Sequence, residues 1–130
     1  HYFRQLNEYN TVALTVDERF LSNDKKRGLT TVPVETLELK YSPQDYHMFV
    51  TLLSGTKSIR AQKILEAKQK GFSLFSYIGE KANIPIDLIY GDNCFIMDNV
   101  MIHPCVQLGI NNFIWSGVMT GHHSKIRNNC

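Results

Sequence analysis

Five histidines and three cysteines are the side chains of this 130-residue chain best suited to moving protons or attacking an electrophile. Two of them adjoin, in Gly121-His122-His123-Ser124. A neutral imidazole near pH 7 takes a proton in a transition state and contributes roughly 10²- to 10⁴-fold as a general base. The pair taken alone leaves two readings open: a proton-transfer site, or corner histidines at a solvent-facing turn, the commoner case. Neighbouring residues on a β side point oppositely, so the two rings cannot share one role. His103 beside Pro104 reads as a turn residue, and His1 and His47 have no chemical context. Cys94, Cys105 and Cys130 are odd in number and form no CxxC pair, so they fit neither a disulfide framework nor a zinc site and read as buried small side chains. No spacing of His, Cys and carboxylate predicts a metal.

What positions these residues is visible in the second half of the chain. From Ile84 an aliphatic or similar side chain recurs at every sixth place: Tyr90, Ile96, Ile102, Leu108, Ile114, Thr120 and Ile126. Two places before most of these stands a second inward candidate: Leu88, Cys94, Val100, Val106, Asn112, Val118 or Ser124. A period of six is neither helical nor a plain alternation. It predicts a parallel β-helix in which each hexapeptide builds one side of a triangular coil and three make a turn. Gly and Asn then occupy corners that need positive φ or local hydrogen bonding. A β-sandwich would instead show turns every 8 to 12 residues.

The first half has a different grammar. Residues 1–80 carry 11 Lys/Arg and 9 Asp/Glu, against 3 and 3 in residues 81–130. Tyr2 to Asn7 reads as the tail of a helix, and Thr11 to Val16 as a buried strand ending at Asp17. The basic loop Asn23 to Gly28 reads as solvated. Met48 to Leu53, Ser54-Gly55-Thr56 and Lys57 to Lys70 read as strand, turn and amphipathic helix, with Gly71 as the stop and Phe72 to Ile78 as a third strand. Strands separated by helices predict a parallel α/β sheet. Its customary opening strand and glycine-rich loop are missing, so the expected layout is an incomplete Rossmann-like domain over 1–80 and the first two to three β-helix coils over 81–130.

Composition adds limits. A net charge of +2 and 43% hydrophobic residues describe a globular chain, not a disordered or collagen-like one, and name no nucleic-acid or membrane partner. No apolar run is long enough to span a bilayer and no basic start leads into a signal core, so a cytoplasmic protein is expected.

Three stretches resemble the left-handed β-helix sugar acyltransferases, the group of sialic-acid O-acyltransferases and nucleotide-amino-sugar N-acetyltransferases: Tyr90 to Ile96, Ile102 to Gly109 and, above all, Trp115 to Ile126. Val16-Asp17, Gly55 and Arg60 fall where that family has its strand-end acid, post-strand glycine and following basic residue. The resemblance covers nearly the whole chain. It implies acetyl-CoA as co-substrate, a nucleotide-linked sugar as acceptor, a homotrimer and a role in surface glycan synthesis. It assigns the catalytic base to His122 and places His123 where relatives carry a Glu or a second His that orients or polarises the site. Asp17, Gly55 and Trp115 become substrate-binding positions, with packing as the other account of Trp115. Gly121 and Ser124 become oxyanion donors or points of close approach, as does Gly117 for a ligand. A direct ternary transfer is expected, with no acyl-carrying Cys. Later coils, which in relatives hold most acetyl-CoA contacts, are expected beyond residue 130, so weak activity is expected of the 130 residues alone. The rival expectation is a non-catalytic scaffold or nucleotide-sugar-binding module.

Overall fold

The computed structural model describes residues 9–21, 28–52 and 57–130, in two compact units, 1–45 and 46–130. In the first unit, β1 (Ala13–Val16) lies parallel to β2 (Thr30–Pro33), with Leu14 opposite Thr31. The β-branched run that predicts β1 ends as expected at Asp17, which opens a short 3-10 turn, Glu18–Phe20. A second 3-10 stretch, Val34–Leu39, follows β2 and buries Val34 and Leu37. The carboxylate of Glu35 accepts from the backbone N–H of Glu18 at 3.0 Å.

In the second unit, β3 (His47–Met48) pairs in parallel with β4 (Ser73–Leu74). Between them runs α1 (Lys57–Gln69), which buries Ile64 and Ala67 against Leu74, Met48, Val50 and Ile110. Gly71, at φ 87°, ends the helix, and Phe72 N–H donates to Ala67 O at 3.1 Å. The segment read as one strand over Phe72 to Ile78 is two. Phe75 N–H still bonds Met48 O, but Tyr77 N–H turns to Cys94 O at 2.8 Å, so the chain changes partner at Ser76. Each unit thus holds its own two-stranded parallel sheet. The boundary expected after Glu80 falls inside the second unit, because β5 (Tyr77–Ile78) is already a rung of the coils.

From β5 onward, two-residue strands recur every six residues: β6 (Ile89–Tyr90), β7 (Phe95–Ile96), β8 (Met101–Ile102), β9 (Gln107–Leu108), β10 (Phe113–Ile114), β11 (Met119–Thr120) and β12 (Lys125–Ile126). Each pairs in parallel with the strand 18 residues on, giving the sheets β5-β7-β10, β8-β11 and β6-β9-β12, with Asn83 bridged to Met101 beneath β8. Ile96, Ile102, Leu108 and Ile114 are buried as the six-residue period predicts, and Cys94, Val100, Val106 and Asn112 are buried beside them. Tyr90, in the first coil, is instead 44% exposed.

The corners follow a rule of their own. Asn93, Asn99, Cys105, Asn111, Gly117, His123 and Asn129, six residues apart, all have φ between 57° and 82°. Asn and Gly tolerate that left-handed conformation best, and they hold five of these seven places. At one corner Asn93 Nδ2 donates to Asn111 Oδ1 at 2.9 Å, and Asn111 Nδ2 to Asn129 Oδ1 at 2.7 Å. Asn93 also exchanges two hydrogen bonds with the backbone of Val50. On the neighbouring side Tyr77, Phe95 and Phe113 stack at 4.8 and 5.8 Å, with Phe49 against the last two. Lys68 pairs with Asp92 at 2.7 Å, and Arg60 donates to Asn129 O at 2.7 Å, which ties α1 to this side of the coils.

Candidate active site

His122 and His123 form the corner between β11 and β12. Both are exposed, with ring centroids 5.3 Å apart and planes at 89°. His123 takes the left-handed corner conformation at φ 59°, and its N–H donates to Pro104 O at 3.2 Å in the coil below. His103 N–H donates to Thr120 O at 3.3 Å. The peptide that carries His122 is therefore bracketed by two backbone hydrogen bonds to the His103-Pro104 pair. Both residues lie in the turn itself and not on a β side, so strand alternation does not set their directions as expected, and the two rings are in edge-to-face contact.

Gly121 directly precedes the pair. It has no positive φ, and an added Cβ would meet only Ser124 Oγ, at 3.8 Å. At the same place in other hexapeptides Gly79, Gly91 and Gly109 donate their N–H to Ile96 O, Leu108 O and Ile126 O. In the repeat this N–H is a pairing group of the coil. Ser124 is half-buried, and its carbonyl accepts from Gln107 N–H at 3.0 Å. Trp115 lies in the same coil, one corner earlier, and is 54% exposed. Gly117, in that earlier corner, has φ 82° and open space where a Cβ would stand.

Asp17 belongs to the first unit, where its carboxylate lies 3.7 Å from Arg19 and its carbonyl accepts from Phe20 N–H at 2.8 Å. Gly55 lies outside the described residues. Arg60 stands 5.7 Å over the Phe113 ring, in addition to its bond to Asn129. Of the expected site residues, the coil groups His122, His123, Gly121 and Ser124 at one corner.

The cysteines divide. Cys94 is fully buried, and its thiol donates to Gly109 O at 3.1 Å. Burial pushes that thiol above its ordinary pKa, so it stays protonated. Cys105 and Cys130 are exposed, contrary to the expectation of buried thiols. Cys105 is carried outward at a left-handed corner, one coil beneath His123. Among the described residues no group of three or more His, Cys, Asp or Glu side chains is placed to hold a metal ion. No described helix is long and apolar enough to cross a membrane.

Sequence reasoning missed the place of His103 beneath this corner and the stacking of the asparagines. Both follow from adding 18 to a residue number, as in 103 to 121 and 93 to 111 to 129.

No protein-family model matches the chain, and no curated protein matches its sequence. Among solved structures the chain is similar to the acetyltransferase domain of PglB from Neisseria gonorrhoeae FA1090, with a TM-score of 0.77 and 19% identity. The match covers 93% of this chain and 57% of that one, so the chain spans little more than half the length of the structure it resembles. At that identity the likeness is one of fold.

Proposed function

We propose that this chain belongs to an acetyl-CoA-dependent acetyltransferase that acetylates an amine or hydroxyl of a sugar, with His122 as general base. The observation that carries this reading is an exposed imidazole pair at a corner of a β-helix whose fold is that of an acetyltransferase domain. In the step proposed, the acceptor's nitrogen or oxygen attacks the thioester carbonyl of acetyl-CoA while His122 takes its proton. Charge develops on the carbonyl oxygen until the C–S bond breaks and CoA leaves as the thiol, protonated by the imidazolium. A backbone N–H near Gly121 or Ser124 is assigned as the oxyanion donor. Trp115 is assigned to the acceptor wall, and His123 to the second site residue.

The coil is read as left-handed and the assembly as a homotrimer in the cytoplasm. The first unit, which carries Asp17, is assigned to nucleotide-sugar binding, and the pathway to surface glycan synthesis.

The test is CoA release from acetyl-CoA across a panel of amino- and hydroxyl-bearing sugars and nucleotide sugars, using the intact natural polypeptide. His122→Ala is expected to lower turnover at least about 10²-fold with an unchanged melting temperature. Equal turnover in the variant removes His122 from the chemistry. No turnover on any acceptor favours a non-catalytic scaffold that keeps the fold.

A further inference from the structure

We infer that Glu35 is a positioning residue for Asp17, the strand-end acid of the first unit, a role that rests on the nucleotide-sugar reading of that unit. β1 and β2 run parallel with Val16 opposite Pro33, so the chain leaves both strands at one edge, through Asp17 and through Val34-Glu35. Ligands of open parallel sheets bind outside that carboxyl edge, and an acid at a strand end there hydrogen-bonds ribose hydroxyls.

The peptide between Asp17 and Glu18 is held at both of its ends. Its carbonyl accepts from Phe20 N–H at 2.8 Å, and its N–H donates to the two carboxylate oxygens of Glu35 at 3.2 and 3.0 Å. A peptide unit is planar, so clamping its two polar groups fixes ψ of Asp17, at 143°, and with it the direction in which the Asp17 Cβ points. Asp17 stands at the cap place of the 3-10 turn yet makes no side-chain cap bond there. The oxygen that an Asp at this place ordinarily supplies to the turn comes instead from Glu35, beyond the end of the neighbouring strand. Arg19, 3.7 Å from the Asp17 carboxylate, is exposed and holds it loosely. Glu35 does not touch the ligand in this role; it acts through the peptide that carries Asp17.

The test is calorimetric binding of UDP, GDP, ADP and CDP, and of their 2′-deoxy counterparts, to the intact natural polypeptide, a readout that needs no acetyl transfer. The wild type is expected to bind one ribose form at least about 10-fold more tightly than its deoxy form, the worth of one hydrogen bond to a carboxylate. Glu35→Ala is expected to cut that preference below about 3-fold while affinity for the deoxy form changes less than about 2-fold, a split that a general loss of structure does not produce. Glu35→Gln, which keeps an acceptor oxygen, is expected to retain a preference within about 3-fold of wild type. An undiminished preference in Glu35→Ala, or a Gln variant as indifferent as the Ala one, overturns the inference and leaves the nucleotide-sugar reading standing. A wild type that binds ribose and deoxyribose forms equally does the same. No binding of any nucleoside diphosphate removes the nucleotide-sugar reading and the inference with it. Should Glu35→Ala not fold, Glu35→Asp, whose carboxylate falls one methylene short of Glu18 N–H, takes its place under the same criteria.

Discussion

His123 departs from the preference of the other corners. Along one edge of the triangle the left-handed place holds Asn93, Asn111 and Asn129, along another Asn99 and Gly117, and along the third Cys105 and His123. A left-handed conformation costs a residue other than Gly or Asn about 1–2 kcal/mol. His123→Asn is therefore expected to raise the melting temperature by about 4 °C or more in thermal unfolding, at about 1 kcal/mol of gain. The same change is expected to lower acetyl transfer, the pattern of a residue kept for chemistry at the expense of stability. Thiol labelling separates the cysteines on similar grounds. Iodoacetamide is expected to modify Cys105 and Cys130 in the native protein and Cys94 only after unfolding. Cys94 also links stability to pH. Its folded pKa lies above the ordinary value of 9.0, so the folded state holds a proton that the unfolded chain releases first. That contribution is whole below about pH 9 and is lost as pH rises beyond it, so melting temperature is expected to fall more steeply above pH 9 in wild type than in Cys94→Ala.

At the scale of elements, the asparagine ladder and the aromatic stack hold the coils in register from two adjoining positions. Asn111 is 1% exposed and sits between Asn93 and Asn129, donating to one and accepting from the other. Asn111→Ala leaves the Asn129 carbonyl without its partner and is expected to cost about 2–3 kcal/mol, measured by denaturant unfolding. Much of this architecture was legible in the chain. Ile96, Ile102, Leu108 and Ile114 lie inside the coil because a period of six reports the length of a side directly. β1 and α1 also lie where their apolar runs predict. The ladder was not legible, because it needs the period of a full turn, 18 residues, and Asn counts as polar in any hydrophobic pattern. The break at Ser76 escaped for a similar reason: Phe72 to Ile78 alternates cleanly, and only its change of partner from Met48 to Cys94 shows where one strand ends.

Over the whole second unit, each coil touches mainly its neighbours, as in other repeat architectures, so damage in the middle coil separates the flanking ones. Ile102 is 4% exposed inside that coil, and Ile102→Ala is expected to cost about 2–5 kcal/mol in denaturant unfolding. Among the described residues of its own unit, nothing comparable to the Phe49 and α1 cover on the Tyr77-Phe95-Phe113 side sheathes the side that carries Met101 and Met119. Met101 is 41% and Met119 68% exposed there. A homotrimer that uses this side is expected to sediment at three times the chain mass, and Met101→Lys is expected to shift it toward monomer.

The constant 18-residue step between paired strands makes the solenoid divisible into interchangeable cassettes. Splicing a second copy of residues 95–112 in front of Phe113 would add one storey, lifting His122 by roughly the 4.8 Å between neighbouring strands and seating it on a duplicate of its own foundation. A splice that is not a whole multiple of 18 residues would rotate it onto the wrong edge or break the stack.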